Sequence, residues 1–326
     1  MFKMGIAGTG SYVPETRLTN GDLEKIMDTS NEWIMTRTGI AERRITTEEE
    51  ATSDLAYHAS LSALHDAGLQ PEDIDFILVA TVTPDHPFPS VANQLQHRLG
   101  CRSILSLDVS AACAGFLAIV DSADKYIRSG AFRHGLIIGA DTLSKMTDYT
   151  HRSSSILFSD GAGAWVVSRE KPDSSKGLLY STIQSDGEHF TSLYVPGGGS
   201  RYPNPERAGV KNKIYMDGRK IFKMAIQSMS SSIHQTLEAT SHTMEDIDWL
   251  VPHQANERII DALSRNLGFP DHKVVKTIKY YGNNSAATIP LAFDLSVRNG
   301  TLQRGNKILL TSFGGGLVWG SALLAY

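Results

Sequence analysis

A short sequence that occurs twice constrains the fold of this chain most. Glu72-Asp-Ile-Asp precedes the apolar run Phe76-Ile-Leu-Val-Ala80, and Glu245-Asp-Ile-Asp precedes Trp249-Leu-Val, 173 positions later. Each copy follows a long amphipathic stretch. A second pair, Ser110-Ala-Ala112 and Ser285-Ala-Ala287, recurs in the same order at an offset of 175. Two matches at nearly one offset indicate duplication, and strand–helix alternation in both copies predicts two related α/β units with mainly parallel sheets. The polar, breaker-rich run Glu170-Lys-Pro-Asp-Ser-Ser-Lys-Gly177 marks the boundary, giving halves 1–172 and 173–326. A pair related by pseudo-twofold symmetry brings equivalent loops to one interface, where sites commonly form.

Between the boundaries the pattern is regular. Asp22–Met27 and Ser30–Thr38 read as short helices, followed by a charged loop through Arg43 and Arg44. Ser53 reads as the cap of a helix running to about His65, with Gly68 after it. Phe76–Ala80 is a fully apolar strand of the kind covered on both faces, and Val91–Leu99 is a further helix. The run Gly8-Thr-Gly10 lacks the third glycine of a dinucleotide fingerprint, and Pro14 falls where its helix should be under way. Net charge is −4, which argues against nucleic acid as the partner. Two cysteines form no disulfide framework and suit a reducing compartment. No signal-peptide or membrane-length apolar run is present, so a cytoplasmic protein with no membrane partner is expected.

Chemistry concentrates on small residues at strand ends. Ile104–Val109 reads as a buried strand and Phe116–Ser129 as a helix ended by Gly130, with Ser110-Ala-Ala-Cys-Ala-Gly115 between them. Cys113 then protrudes at a strand-to-helix corner, facing the free N–H groups and positive dipole end of the next helix. Both favour thiolate. In the second half Leu250-Val-Pro-His-Gln-Ala-Asn256 puts His253 at a strand's carboxyl end, the usual place for ligand chemistry in open α/β sheets. Asn283 sits on the glycine turn Tyr280-Tyr-Gly-Asn-Asn-Ser285. Phe313-Gly-Gly-Gly316 follows an apolar strand and can turn backbone N–H groups into a cavity. It lacks the Lys-Ser/Thr continuation of a phosphate loop, as does Gly197-Gly-Gly199, which reads as a surface turn. A thiol, an imidazole, an amide and a glycine cradle thus cluster at sheet ends.

On Trp33-Ile-Met-Thr-Arg-Thr-Gly39, Ala111-Ala-Cys-Ala-Gly115, Phe158-Ser-Asp-Gly-Ala-Gly163, His253-Gln-Ala-Asn256, Gly282-Asn-Asn-Ser-Ala-Ala287 and Phe313-Gly-Gly-Gly316, the chain resembles β-ketoacyl-acyl-carrier-protein synthase III. This is the initiating condensing enzyme of type II fatty-acid synthesis, in the thiolase-like superfamily, and the likeness covers nearly the whole chain. The resemblance implies a five-layered αβαβα fold, a homodimer and a catalytic triad at Cys113, His253 and Asn283. It implies an oxyanion site from the N–H groups of Cys113 and Gly315, and coenzyme A contacts at Trp33, Arg37 and Arg152. Acyl carrier protein would dock on Lys223, Arg258 and Arg265, and Phe88 would reach into the partner's acyl pocket. Acyl-CoA enters as substrate, acetyl-CoA being the expected primer, and no cofactor or metal is implied. Two positions depart from the family pattern: Asn284 stands where a threonine is expected, and Leu317 where an aromatic is common, which leaves the size of the acyl pocket open.

Three other readings share these residues. Papain-type hydrolases also place Cys, His and Asn in this order, and the 140-residue interval from Cys113 to His253 suits them. Their Cys-Gly-Ser-Cys-Trp signature is absent, and the duplicated pattern fits them poorly. A superfamily acyltransferase or condensing enzyme of specialised metabolism, with another primer or acceptor, fits every motif. A non-catalytic subunit is disfavoured by the intact Cys113, His253 and Asn283.

Overall fold

The computed structural model describes residues 1–326. Two sheets run through it. The first places its strands in the order Lys3–Tyr12, Asp160–Glu170, His134–Thr142, Phe76–Ala80 and Leu105–Val109. The second runs Gly177–Ser185, Val318–Ala325, Lys307–Gly314 and Trp249–Pro252, and a single bridge from Leu250 to Val274 adds a fifth position. The two orders correspond strand for strand.

Both sheets are mixed, which corrects the expectation of mainly parallel pairing. Phe76–Ala80 pairs in parallel with both its neighbours, and Trp249–Pro252 pairs in parallel with Lys307–Gly314. The bridge from Leu250 to Val274 is also parallel, and the remaining pairings are antiparallel. Connection length explains part of this: only residues 315–317 join the last two strands, too few for a crossover.

Helices complete five layers. Thr52–Ala67 and Val91–Leu99 cover the outer face of the first sheet. Gly115–Arg128 and Thr288–Arg298 fill the space between the sheets, and Gly218–Thr240 and Glu257–Leu267 cover the outer face of the second. Alternation along the strand Phe76–Ala80 decides which layer each side chain joins. Ile77 and Val79 pack with Leu55 and Ala59 outside, whereas Phe76, Leu78 and Ala80 pack with Phe116, Ile119 and Phe293 inside. The result is the αβαβα arrangement expected of a thiolase-like fold. The helix at Thr52 is capped from Asp54, whose Oδ2 accepts the Ala51 N–H at 2.9 Å, rather than by Ser53.

The repeat keeps one register around the site. The turns Ala112–Ala114 and Ser285–Ala287, the helix starts at Gly115 and Thr288, and the strand starts at His134 and Lys307 are each 173 residues apart. Ala112 and Ser285 share positive φ, 46° and 51°, a conformation uncommon for residues with a side chain. The Ser-Ala-Ala match is therefore two positions out of register, and the counterpart of Cys113 is Ala286.

These two turns interlock. Ser312 Oγ donates to the Cys113 carbonyl at 2.6 Å, and the Cys113 nitrogen faces Gly314, where a Cβ would stand 2.7 Å away. Reciprocally, the Ala286 carbonyl lies against Gly139, and the Ala286 N–H donates to Asp141 Oδ2 at 3.3 Å. Each turn thus rests on the central strand of the other half.

Candidate active site

Cys113 stands on the Ala112–Ala114 turn, 8% exposed, where two cavities meet. The interlock leaves an asymmetry there. Ala286 gives its N–H to a carboxylate, but the equivalent position facing Cys113 is Gly314, which offers no acceptor. Gly315 lines the larger cavity, and its N–H donates to nothing within the chain. The expected acidity of the thiol is not found in the resting site. Burial pushes it up to about 12, assisted by buried Asp141 and only partly opposed by Ser285 and by a backbone N–H.

His253 follows the strand Trp249–Pro252, and its backbone N–H donates to Thr311 O at 2.8 Å. Its Nδ1 lies 2.6 Å from Thr288 Oγ1. Burial lowers the imidazole to about 3, so the ring is neutral. Asn283 is held by its backbone: its N–H donates to Leu157 O at 3.0 Å, and its carbonyl accepts from Ser159 at 2.9 Å. The Asn283 Oδ1 accepts the Ser285 N–H at 2.9 Å, which turns Nδ2 out with no partner in the chain. Cys113, His253 and Asn283 all line the smaller cavity, of about 470 Å³.

The two departures lie off the cavity walls. Asn284 is buried, with Nδ2 3.4 Å from Tyr281 O and Oδ1 unpartnered. Leu317 is fully buried in the apolar cluster of the second half. It lines neither cavity. Gly197 and Gly198 instead line the larger cavity, of about 710 Å³, with Cys113, Leu143 and Met146. The glycine run is a cavity wall rather than a simple surface turn, because the chain folds back over the mouth of the site.

Trp33 and Arg37 line the smaller cavity away from the thiol, together with Arg219 and Arg258. The Arg152 guanidinium stacks 4.5 Å above the Trp33 ring and donates to Asp28 O at 2.8 Å. Room for a ring between Arg152 and Trp33 therefore requires the arginine to withdraw. Lys223 and Arg265 are exposed on the helices Gly218–Thr240 and Glu257–Leu267, and neither lines a cavity. Phe88 projects from the surface at 85% exposure, and Leu107 at 47% on the unpaired edge strand Leu105–Val109.

Several supporting residues escaped the sequence reading. Asp141 Oδ1 accepts from Thr81, Val82 and Thr83, at 3.0, 2.8 and 2.9 Å, and fixes the loop beside the thiol. Arg43, expected in a charged loop, is fully buried and donates to Asn20 Oδ1 and Ile156 O, bracing the segment that holds Asn283. Thr288 and Ser312 bond the histidine and the cysteine directly. Only their place just after the Ser-Ala-Ala and just before the Phe-Gly-Gly-Gly runs could have singled them out. No group of three or more His, Cys, Asp or Glu is arranged to hold a metal ion, and no helix is long and apolar enough to cross a membrane.

Residues 107–187 match the family model for 3-oxoacyl-[acyl-carrier-protein (ACP)] synthase III, and residues 237–326 match the model for the C terminal of the same family. The β-ketoacyl-[acyl-carrier-protein] synthase III of Xanthomonas oryzae pv. oryzae is 47% identical over 322 residues, covering 98% of both chains. That of Caldanaerobacter subterraneus is 47% identical, over 99% of this chain and 97% of its own. The crystal structure of 3-oxoacyl-[acyl-carrier-protein] synthase III from Aquifex aeolicus superposes with a TM-score of 0.93 at 42% identity, covering 99% of this chain and 100% of that one. The chain belongs to the β-ketoacyl-[acyl-carrier-protein] synthase III family.

Proposed function

We propose that the chain is a condensing enzyme that initiates type II fatty-acid synthesis. It acylates Cys113 from acetyl-CoA and condenses that acyl group, with loss of CO₂, onto malonyl-acyl-carrier protein to give 3-ketoacyl-acyl-carrier protein. The observation that carries this is the junction at Cys113: one cavity runs past His253 and Asn283 to Trp33 and Arg37, and the other opens beyond the sulfur. A thioester arm entering by the first would leave its acyl group in the second.

In the first half-reaction the sulfur attacks the thioester carbon. The developing oxyanion accepts from the N–H groups of Cys113 and Gly315, which have no side-chain acceptor near them. In the second, the malonyl thioester carbonyl accepts from Asn283 Nδ2 and from His253 Nε2, and the enolate left by CO₂ attacks the acyl group on sulfur. Trp33 would stack on the adenine of coenzyme A, with Arg37 and Arg152 around it. Acyl carrier protein, an acidic partner, would dock on Lys223, Arg258 and Arg265. The unpaired edge Leu105–Val109 and exposed Phe88 support a homodimer in which Phe88 enters the partner's acyl pocket. The separate sheets support the two halves 1–172 and 173–326.

The 710 Å³ cavity is far larger than a two-carbon acyl group needs, and it favours a second reading in which longer or branched primers, or another acceptor, are used. Screening acyl-CoA primers with malonyl-acyl-carrier protein separates the two. The central test is Asn283→Ala, which should slow decarboxylation of malonyl-acyl-carrier protein by about a hundredfold, or ~3 kcal/mol. Unchanged turnover would overturn the assignment.

A further inference from the structure

The hydrogen bonds behind His253 determine more than its position. Thr288 Oγ1 lies 2.6 Å from His253 Nδ1 and 3.0 Å from the carbonyl oxygen of Ser285. A carbonyl can only accept, and that of Ser285, which also takes the Thr288 backbone N–H, is the acceptor the hydroxyl proton faces. The hydroxyl oxygen must then accept, and its donor is Nδ1–H. A neutral imidazole carries one ring proton, so Nε2, the nitrogen left for the cavity, is bare. No other protein group bonds either ring nitrogen, and His253, Thr288 and Ser285 are all buried.

We infer that Thr288 is a positioning residue that fixes the tautomer of His253, so that a bare Nε2 faces the cavity that Cys113 also lines and takes up the thiol proton there. The inference rests on the condensing reading given above and deepens it. The thiol proton passes to Nε2 as the sulfur forms its bond to the acyl carbon. The carbon–sulfur bond of the coenzyme A thioester breaks, and coenzyme A leaves as a thiolate that takes a proton from solvent. His253 is now an imidazolium, with one N–H held by Thr288 and the other available to the malonyl thioester carbonyl. CO₂ departs, the carbon–carbon bond forms, the acyl–sulfur bond breaks, and the proton on Nε2 returns to Cys113. One nitrogen serves first as acceptor and then as donor because the other is already committed. A plain N–H aimed at the cavity from the outset, the simplest role for this histidine, requires the Thr288 hydroxyl to give up the Ser285 carbonyl and donate to Nδ1 instead. The counterpart of Thr288 in the first half is Gly115, so the device exists on one side only.

The test pairs Thr288→Val, which keeps the shape and removes the hydroxyl, with Thr288→Ser, which keeps it. Nitrogen NMR of histidine-labelled, unacylated protein reads the tautomer directly, the His253 signals being assigned by their loss in His253→Gln. Wild type and Thr288→Ser should show Nδ1 protonated, and Thr288→Val should shift toward the Nε2-protonated form. Label transfer from acetyl-CoA to Cys113 should fall about tenfold or more in Thr288→Val. Decarboxylation of malonyl-acyl-carrier protein in a Cys113→Ala background should not fall, and Thr288→Ser should restore acylation. An Nε2-protonated wild type overturns the inference, as does an equal loss of both half-reactions in Thr288→Val. Should wild type fail to take label from any acyl-CoA, the condensing reading falls, while the tautomer measurement still stands by itself.

Discussion

Replacing Gly314 with alanine perturbs the site by one methyl group at a known place. The added Cβ would stand 2.7 Å from the Cys113 nitrogen, 2.9 Å from that of Ala114 and 3.2 Å from the Ala111 carbonyl. Ordinary contact begins near 3.4 Å, so the closest approach is about 0.7 Å too short, and the obstacles are backbone atoms that cannot rotate away. Gly314 does not have positive φ, so the effect is steric, without backbone strain. Relief requires the Ala112–Ala114 turn and the strand Lys307–Gly314 to separate, which also pulls on the Ser312 bond to Cys113 O. Overpacking of this kind costs about 1–3 kcal/mol of stability. Displacing or covering one oxyanion donor costs a further ~3 kcal/mol in the transition state, a hundredfold or more in rate. The assay is single-turnover transfer of label from radiolabelled acetyl-CoA to the protein, quenched in acid, beside melting curves. Gly187→Ala, whose Cβ would meet nothing within 4 Å, should acylate at the wild-type rate. A folded Gly314→Ala protein that also did so would refute the reasoning.

Other perturbations have equally definite outcomes. His253 has its folded pKa lowered to about 3, so between its unfolded value near 6.5 and that point the unfolded chain binds a proton that the folded chain refuses. Stability is then full above about pH 6.5 and falls as pH drops, by ~2 kcal/mol at about pH 5. Urea titrations at roughly pH 7.5 and 5 should show that fall reduced in His253→Gln, and parallel losses would contradict it. Arg152→Ala should raise the KM for acetyl-CoA about fivefold, in line with one cation–π contact of ~1 kcal/mol, and leave malonyl-acyl-carrier-protein decarboxylation untouched; an unchanged KM would remove Arg152 from the nucleotide site. Arg265→Glu, at an exposed position that lines neither cavity, should raise the KM for malonyl-acyl-carrier protein severalfold and spare acylation by acetyl-CoA. Equal changes in both would defeat the docking role.

Features written in contiguous residues were legible beforehand. The apolar run Phe76–Ala80, the small residues around Cys113 and the strand-end His253 each declare themselves locally, and the repeated Glu-Asp-Ile-Asp exposes the duplication. Properties set by distant partners were not. Arg43 looks like a surface charge, yet its guanidinium is satisfied by the Ile156 carbonyl, 113 positions away. The Cys113 thiol is governed less by the helix that follows it than by how thoroughly two halves exclude water around it. Leu317 stands beside the glycine cradle in sequence, but its side chain turns into the core of the second half. The Ser-Ala-Ala match misled by two positions because small residues recur wherever turns press against strands. The paired positive φ of Ala112 and Ser285 shows the true register, which is that of the Glu-Asp-Ile-Asp repeat.

The reciprocal seating of the two turns has a mechanical consequence. A clamshell enzyme closes on its substrate by swinging one lobe against another, but here each lobe's turn is wedged into the other's central strand with no room for a methyl group. The reacting atoms are therefore set in place before any substrate arrives, and the joint between lobes cannot act as a door. Access must come by threading something slender through a standing passage, with any widening left to side chains at its entrance.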